Sequence, residues 1–271
     1  MKSALAQHLR SRAAIALLAC VWSWCASAQS IPVRHVEGTN HGFRELRSED
    51  GHILASGDLV QVAHGDQVTA CLLFKFKDGS TDDETTVFSQ RGSLHLITDR
   101  HIQKGPFFPH PMDVLIDARS RTITIQSTGK DGKEETHTDH LELPPDLANG
   151  LVSLIVKNMR SDAPETKVSL LVATPKQRLI KLAISSDGDE PFSVAGSMRK
   201  AEHYEIKIEL GAVAGVVAPI IGKQPPDIEI WTIGGQAPTF LKENGPIYSG
   251  GPMLTIQQVS PTWPDRPRSG N

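Results

Sequence analysis

The chain has 271 residues, 39% of them hydrophobic, with 28 basic and 31 acidic side chains and a formal net charge of −3. That length can bury one well-formed core, but the balance lacks the cationic surplus that nucleic acid or an anionic bilayer demands of a partner. Three cysteines are too few to staple a domain of this size, so burial of apolar surface must hold it together.

Residues 1–28 read as an export signal. Lys2, Arg10 and Arg12 form a positive start, Ala13–Val21 is an apolar run, and Ala26-Ser27-Ala28 offers the small residues of a cleavage site after Ala28. Leu17-Leu18-Ala19-Cys20 is a loose lipobox that would instead leave Cys20 acylated. Cleavage after Ala28 removes three basic residues, leaving 25 against 31 acidic ones and a mature charge of −6. No later run is long and apolar enough for a transmembrane span in the mature chain, so a periplasmic or secreted location follows. Cys71 is then the one remaining thiol, placed in a strand as a packed side chain.

Residues 29–42 read as a loose lead-in, and 43–260 as a single β-rich domain. Val68, Ala70, Leu72, Phe74 and Phe76 alternate with polar residues, the two-residue period of a half-buried strand. Weaker alternation marks 122–126, 166–173, 178–184, 228–233 and 253–259. The cleanest run sets Tyr204, Ile206, Ile208 and Leu210 against His203, Glu205, Lys207 and Glu209. Asp50-Gly51, Gly65-Asp66, Asp78-Gly79, Arg91-Gly92, Asp131-Gly132 and Asp187-Gly188 supply turns between strands. Asp82-Asp83-Glu84 reads as part of a solvated polar turn. One segment differs: after Pro144-Pro145-Asp146, the spacing of Leu147, Leu151, Leu154 and Ile155 predicts an amphipathic helix of about 12 residues near 145–158, capped by Asp146. Residues 210–221 carry no charge and read as a buried plug or a mobile flap. Residues 261–271 read as a disordered tail.

The fold class expected is therefore mainly β: a strongly curved antiparallel sheet or open barrel of about ten strands with one amphipathic helix packed against it. Phe74, Phe76, Tyr204, Ile206, Ile208 and Trp231 are placed inside, either as core or as the lining of an apolar pocket. His137 and His140, with His95, His101 and His110 upstream, lack the spacing of a metal motif. No nucleophile elbow or phosphate loop appears, so no catalytic residue, metal or cofactor is assigned.

Ile228-Glu-Ile-Trp231-Thr-Ile, Pro238, Gly245-Pro246-Ile247-Tyr248 and Gly250-Gly251-Pro252 resemble the last hairpins of an uncharacterised secreted bacterial β-rich family, grouped as domains of unknown function. Glu205–Gln224 also resembles part of such a family, and the likeness of architecture runs over 45–260. The order of strands, covering helix and further strands is distantly similar to periplasmic lipoprotein-carrier folds. These resemblances imply a fold and a compartment, not a reaction. The leading expectation is an exported non-enzymatic protein that binds an apolar small molecule or lipid in the periplasm. An envelope scaffold working through protein interaction and a metal-dependent enzyme using the histidines are the alternatives.

Overall fold

The computed structural model describes residues 30–128, 134–173, 177–194, 196–209 and 225–261. The expected signal and its cleavage after Ala28, the Asp131-Gly132 turn, the 210–221 segment and almost all of the tail lie outside these residues. Eight strands come first: β1 (Asn40–Ser48), β2 (Ile53–His64), β3 (Gln67–Phe76), β4 (Thr81–Ser89), β5 (His95–Lys104), β6 (Met112–Asp117), β7 (Thr122–Thr128) and β8 (Glu134–His140). A short helix, α1 (Val152–Asn158), precedes six more: β9 (Thr166–Val172), β10 (Arg178–Val194), β11 (Ser197–Glu209), β12 (Ile228–Ile233), β13 (Thr239–Gly245) and β14 (Leu254–Val259). The β class holds, with fourteen strands among the described residues where about ten were expected.

Each flank is a meander in which neighbours in sequence pair antiparallel. The first strand then pairs with the last, Phe43 to Ser48 against Val259 to Leu254, and this seam joins both flanks into one unclosed sheet with β8 and β9 at its edges. The sheet curls, because inward side chains from β3, β5, β10, β12 and β14 meet across one interior. The alternation read for 203–210 is realised from Tyr204 to Lys207, while His203 is buried as well and Leu210 lies outside the described residues. Tyr204 and Ile206 are fully buried, whereas Lys207 is exposed. Asp187-Gly188 makes no hairpin turn, however. It sits inside β10 as a bulge facing His203, with Gly188 at φ +91°, and lets a 17-residue strand bend.

The helix lies on the concave side but has seven residues rather than twelve, and Asp146 does not cap it. The backbone at 146–148 is engaged sideways, along β9. Ser169 N–H donates to Asp146 O and Ala148 N–H to Ser169 O, at 3.1 and 2.8 Å. Backbone groups used in that direction cannot also serve a helical turn. The Asp146 carboxylate accepts from Ser169 Oγ and Lys181 Nζ, both at 2.8 Å, and Asn149 exchanges bonds with Leu171. The segment thereby covers a strand edge that would otherwise stand open. Gly150 then turns the chain inward at φ +66°, so close to β4 and β5 that a Cβ there would collide with the Thr86 hydroxyl and the Asp99 carboxylate.

Residues 30–39, expected as a loose lead-in, are fastened. Val33 N–H donates to Gly92 O and Leu94 N–H to Ile31 O, both at 2.9 Å. Asn158, at the end of the helix, accepts from the Arg34 and His35 amides at 2.8 and 2.9 Å, and Arg34 donates to Met159 O.

The tight inward turn gives a direct test. Gly150→Ala is expected to cost about 2–4 kcal/mol, from positive φ and collision together. Gly51→Ala, also at positive φ but in open space, should cost about 1–2 kcal/mol. Urea melts of the two variants check this, and equal losses would contradict the placement of Gly150 inside the sheet.

Candidate functional site

Beside the helix the curled sheet keeps a cavity of about 600 Å³. Toward one end, past Phe74 and Ile247 of its lining, aromatic rings cluster. Phe76 and Phe107 lie 4.5 Å apart, and Phe108 and Tyr248 pack edge-on against them. Gln103 reaches across to donate to Ile247 O at 2.8 Å, holding the loop after β13 over the cluster. At the other end the exposed residues Gly38, Asn40 and Gln258 rim the opening.

Much of the wall is aliphatic and aromatic, as expected of a curled sheet. Leu59, Leu72, Phe74, Leu170, Leu182 and Ile228 form it, and Val152 and Leu154 add the face of the helix. The remainder is charged. On β4 the inward positions are Asp82, Glu84 and Thr86, and directly opposite on β5 stand Gln103, His101 and Asp99. The residues read as a solvated turn are thus a ladder of polar pairs turned into the interior. Asp82 receives Gln103 Nε2 at 3.0 Å and lies 2.7 Å from His101 Nε2, and Thr86 donates to Asp99 at 2.9 Å. From the other side come Glu243 on β13 and Arg44 on β1, whose guanidinium rests 4.2 Å above the Phe240 ring. Near the rim Lys157 of the helix pairs with Glu37 at 2.5 Å.

Crowding charges into a poorly hydrated interior shifts their proton affinities. Burial pushes Glu243 up to about 7, with nearby Arg44 opposing and Glu84 adding to the rise. Burial likewise raises Glu84, against the pull of His101. Asp99 climbs to about 7, through burial first and the Glu84 charge second. Burial works against the His101 cation, yet the Asp82 hydrogen bond and the Glu84, Asp82 and Asp99 charges outweigh it and lift His101 to about 9.

The residues named from sequence divide among several places. Phe74 lines the cavity and Phe76 belongs to the aromatic cluster. Tyr204 and Ile206 are closed core, with Ile208 half-buried against it. Trp231 is buried, but apart from the core cluster and the cavity lining. It pairs across strands with His203 and Lys242, on the convex face, because Ile230 and Thr232 take the inward positions. There it stacks flat on His203 at 4.5 Å, holds Lys242 Nζ 3.5 Å over its ring, and donates Nε1–H to Glu190. Of the histidines, His101 joins the cavity, whereas His137 is exposed on β8 beside Asp139. Among the described residues no group of three or more His, Cys, Asp or Glu side chains could hold a metal ion. Nor is any helix among them long and apolar enough to cross a membrane.

No family model matches the chain, and no curated protein matches it. A similar solved structure is the crystal structure of a β-barrel-like protein of the domain of unknown function DUF1849 from Brucella abortus. It has 10% sequence identity, covering 84% of this chain and 97% of that one, with a TM-score of 0.45.

Glu243, Asp99 and His101 each hold a proton more tightly folded than unfolded. Folding therefore takes up protons, and the stability these groups contribute falls as pH rises. For Glu243 and Asp99 the loss begins at their ordinary values of 4.5 and 3.8 and is complete above about 7. For His101 it runs from 6.5 to about 9. Thermal melts should show a midpoint lower at pH 9 than at pH 5. Glu243→Gln, which cannot ionise, should flatten the profile between pH 5 and 7. A midpoint that rises steadily with pH would refute the arrangement.

Proposed function

We propose that this is an exported, non-enzymatic binding protein that takes an apolar or amphipathic small molecule, a lipid among them, into the interior of its curled sheet. The cavity carries the reading. Its volume falls within the roughly 300–1,000 Å³ range of small-molecule sites, and it joins a continuous apolar wall to a few convergent polar groups. The helix that could have filled the concavity stops at seven residues and leaves this space beside it. A periplasmic or secreted setting is supported by the signal-like residues 1–28.

A second reading, an envelope scaffold, has one observation in its favour. The β10–β11 hairpin ends in exposed Val194 and Met198, 56% and 64% accessible, followed by Arg199 and Lys200. An apolar hairpin end flanked by charge suits contact with another protein of the envelope.

Ala70 points into the cavity from β3, whereas Val60 stands exposed on the convex face. Ala70→Trp should abolish the fluorescence gain of an environment-sensitive apolar dye, and Val60→Trp should leave it intact. Native mass spectrometry of the wild-type protein should show a co-purifying small molecule that Ala70→Trp loses. Dye uptake unaffected by Ala70→Trp, with nothing co-purifying, would remove the cavity as a binding site and leave the hairpin end as the surface to pursue.

A further inference from the structure

We propose that the cavity selects an amphiphile with an anionic head, its acidic group seated on the Arg44 guanidinium and its chain laid along the aliphatic wall. This rests on the binding reading above and adds the chemistry of the ligand's polar end. Of the cations at the cavity, two have carboxylates of their own: His101 lies on Asp82 at 2.7 Å and Lys157 on Glu37 at 2.5 Å. Arg44 has none. Among the described residues no carboxylate lies within 4.0 Å of its guanidinium and no acceptor takes a hydrogen bond from it. Its guanidinium carbon lies 4.2 Å from the centre of the Phe240 ring, a cation–π contact that takes up none of its N–H donors, and both residues line the cavity.

The carboxyls around it do not substitute for a ligand. Glu84 on β4 and Glu243 on β13 face Arg44. Behind them stand Asp82 on β4 with Asp99 and His101 on β5, and Lys157 closes the side of the helix. A buried carboxylate can lose its charge by taking a proton, and burial already pushes Glu84 and Glu243 in that direction. A guanidinium cannot lose its charge in a protein. The permanent charge without a partner is therefore positive. An arriving sulfonate, carboxylate or phosphate would accept the guanidinium donors in pairs, and protonated Glu84 and Glu243 could then donate hydrogen bonds to it. Leu59, Leu72, Leu170 and Leu182 offer its chain a dry surface. Binding of such a head takes up protons, so affinity strengthens as pH falls. A cationic head would be opposed by Arg44 and would show the reverse dependence.

Three ten-carbon probes separate these outcomes: decanesulfonate, decanol and decylamine, titrated calorimetrically below micellar concentration at pH 6 and pH 8.5. The expected result is preference for the sulfonate, at least about tenfold tighter at pH 6. Arg44→Met should weaken the sulfonate at least about tenfold and decanol less than about twofold, and Arg44→Lys should restore part of the loss. Glu243→Gln provides a check independent of Arg44. It should tighten the sulfonate at pH 8.5 and shrink the pH dependence. Decylamine binding best, affinity rising with pH, or a sulfonate indifferent to Arg44→Met in a folded variant would overturn the anionic head while leaving the cavity as a binding site. Exclusion of all three probes and of the apolar dye would defeat the binding reading, and this inference with it.

Discussion

The pairing of β1 with β14 is the constraint on which the architecture depends. Without it the two meanders would be separate sheets of eight and six strands, each with an apolar face and no common interior. Curling brings inward residues from both flanks around one helix, and the wall so formed includes Leu72 and Phe74 from one flank and Leu182 and Ile228 from the other. The same seam sets Arg44 on β1 within reach of Glu243 on β13, since β14 alone lies between them.

The interior is a compromise between packing and polarity. A helix of three full turns would have filled the concavity with aliphatic side chains. Instead the residues before Val152 bind the β9 edge, and Gly150 admits the chain at one sharp angle. Asp82, Glu84, Thr86 and His101 of the ladder then face a space that no side chain occupies, with Gln103 and Asp99 buried beside them. Burying ionisable groups is costly for a fold, and this ladder is only partly satisfied by its own members. A domain that needed only a core could have carried aliphatic residues at these positions; under the proposed binding role the polarity would serve the head of the ligand.

The legible parts of the chain were those where one face is apolar and the other is not. Strands β3 and β11 follow from alternation alone, because Phe74 and Phe76, or Tyr204 and Ile206, turn inward while lysines and glutamates turn out. Strands β1 and β2 carry glycine and mixed residues, and β8 is polar throughout, so their strand character comes from pairing with neighbours rather than from local pattern. The polar ladder was illegible for a deeper reason. Period two shows that Asp82, Glu84 and Thr86 share a face but not which face is wet, and charge on a strand ordinarily means solvent. Trp231 failed in the opposite sense. An aromatic residue in a strand suggests the interior, yet on the convex face it is covered by His203 and Lys242. The shortness of the helix was hidden as well, because the leucine spacing at 147–155 describes burial equally well when its first residues bind a strand edge.

The seam between β1 and β14 also sets an order of events in time. Gln257 reaches Glu45 across 212 positions of chain, among the longest separations a contact can have here. Closing such a loop costs entropy before any contact rewards it, and folds dominated by such pairings form slowly. Until residues 254–259 have been synthesised, β1 has one exposed edge and the two flanks have no means of sharing a core. Completion of the sheet therefore waits for residues 254–259, and a ribosome-bound chain that lacks them remains an open ribbon.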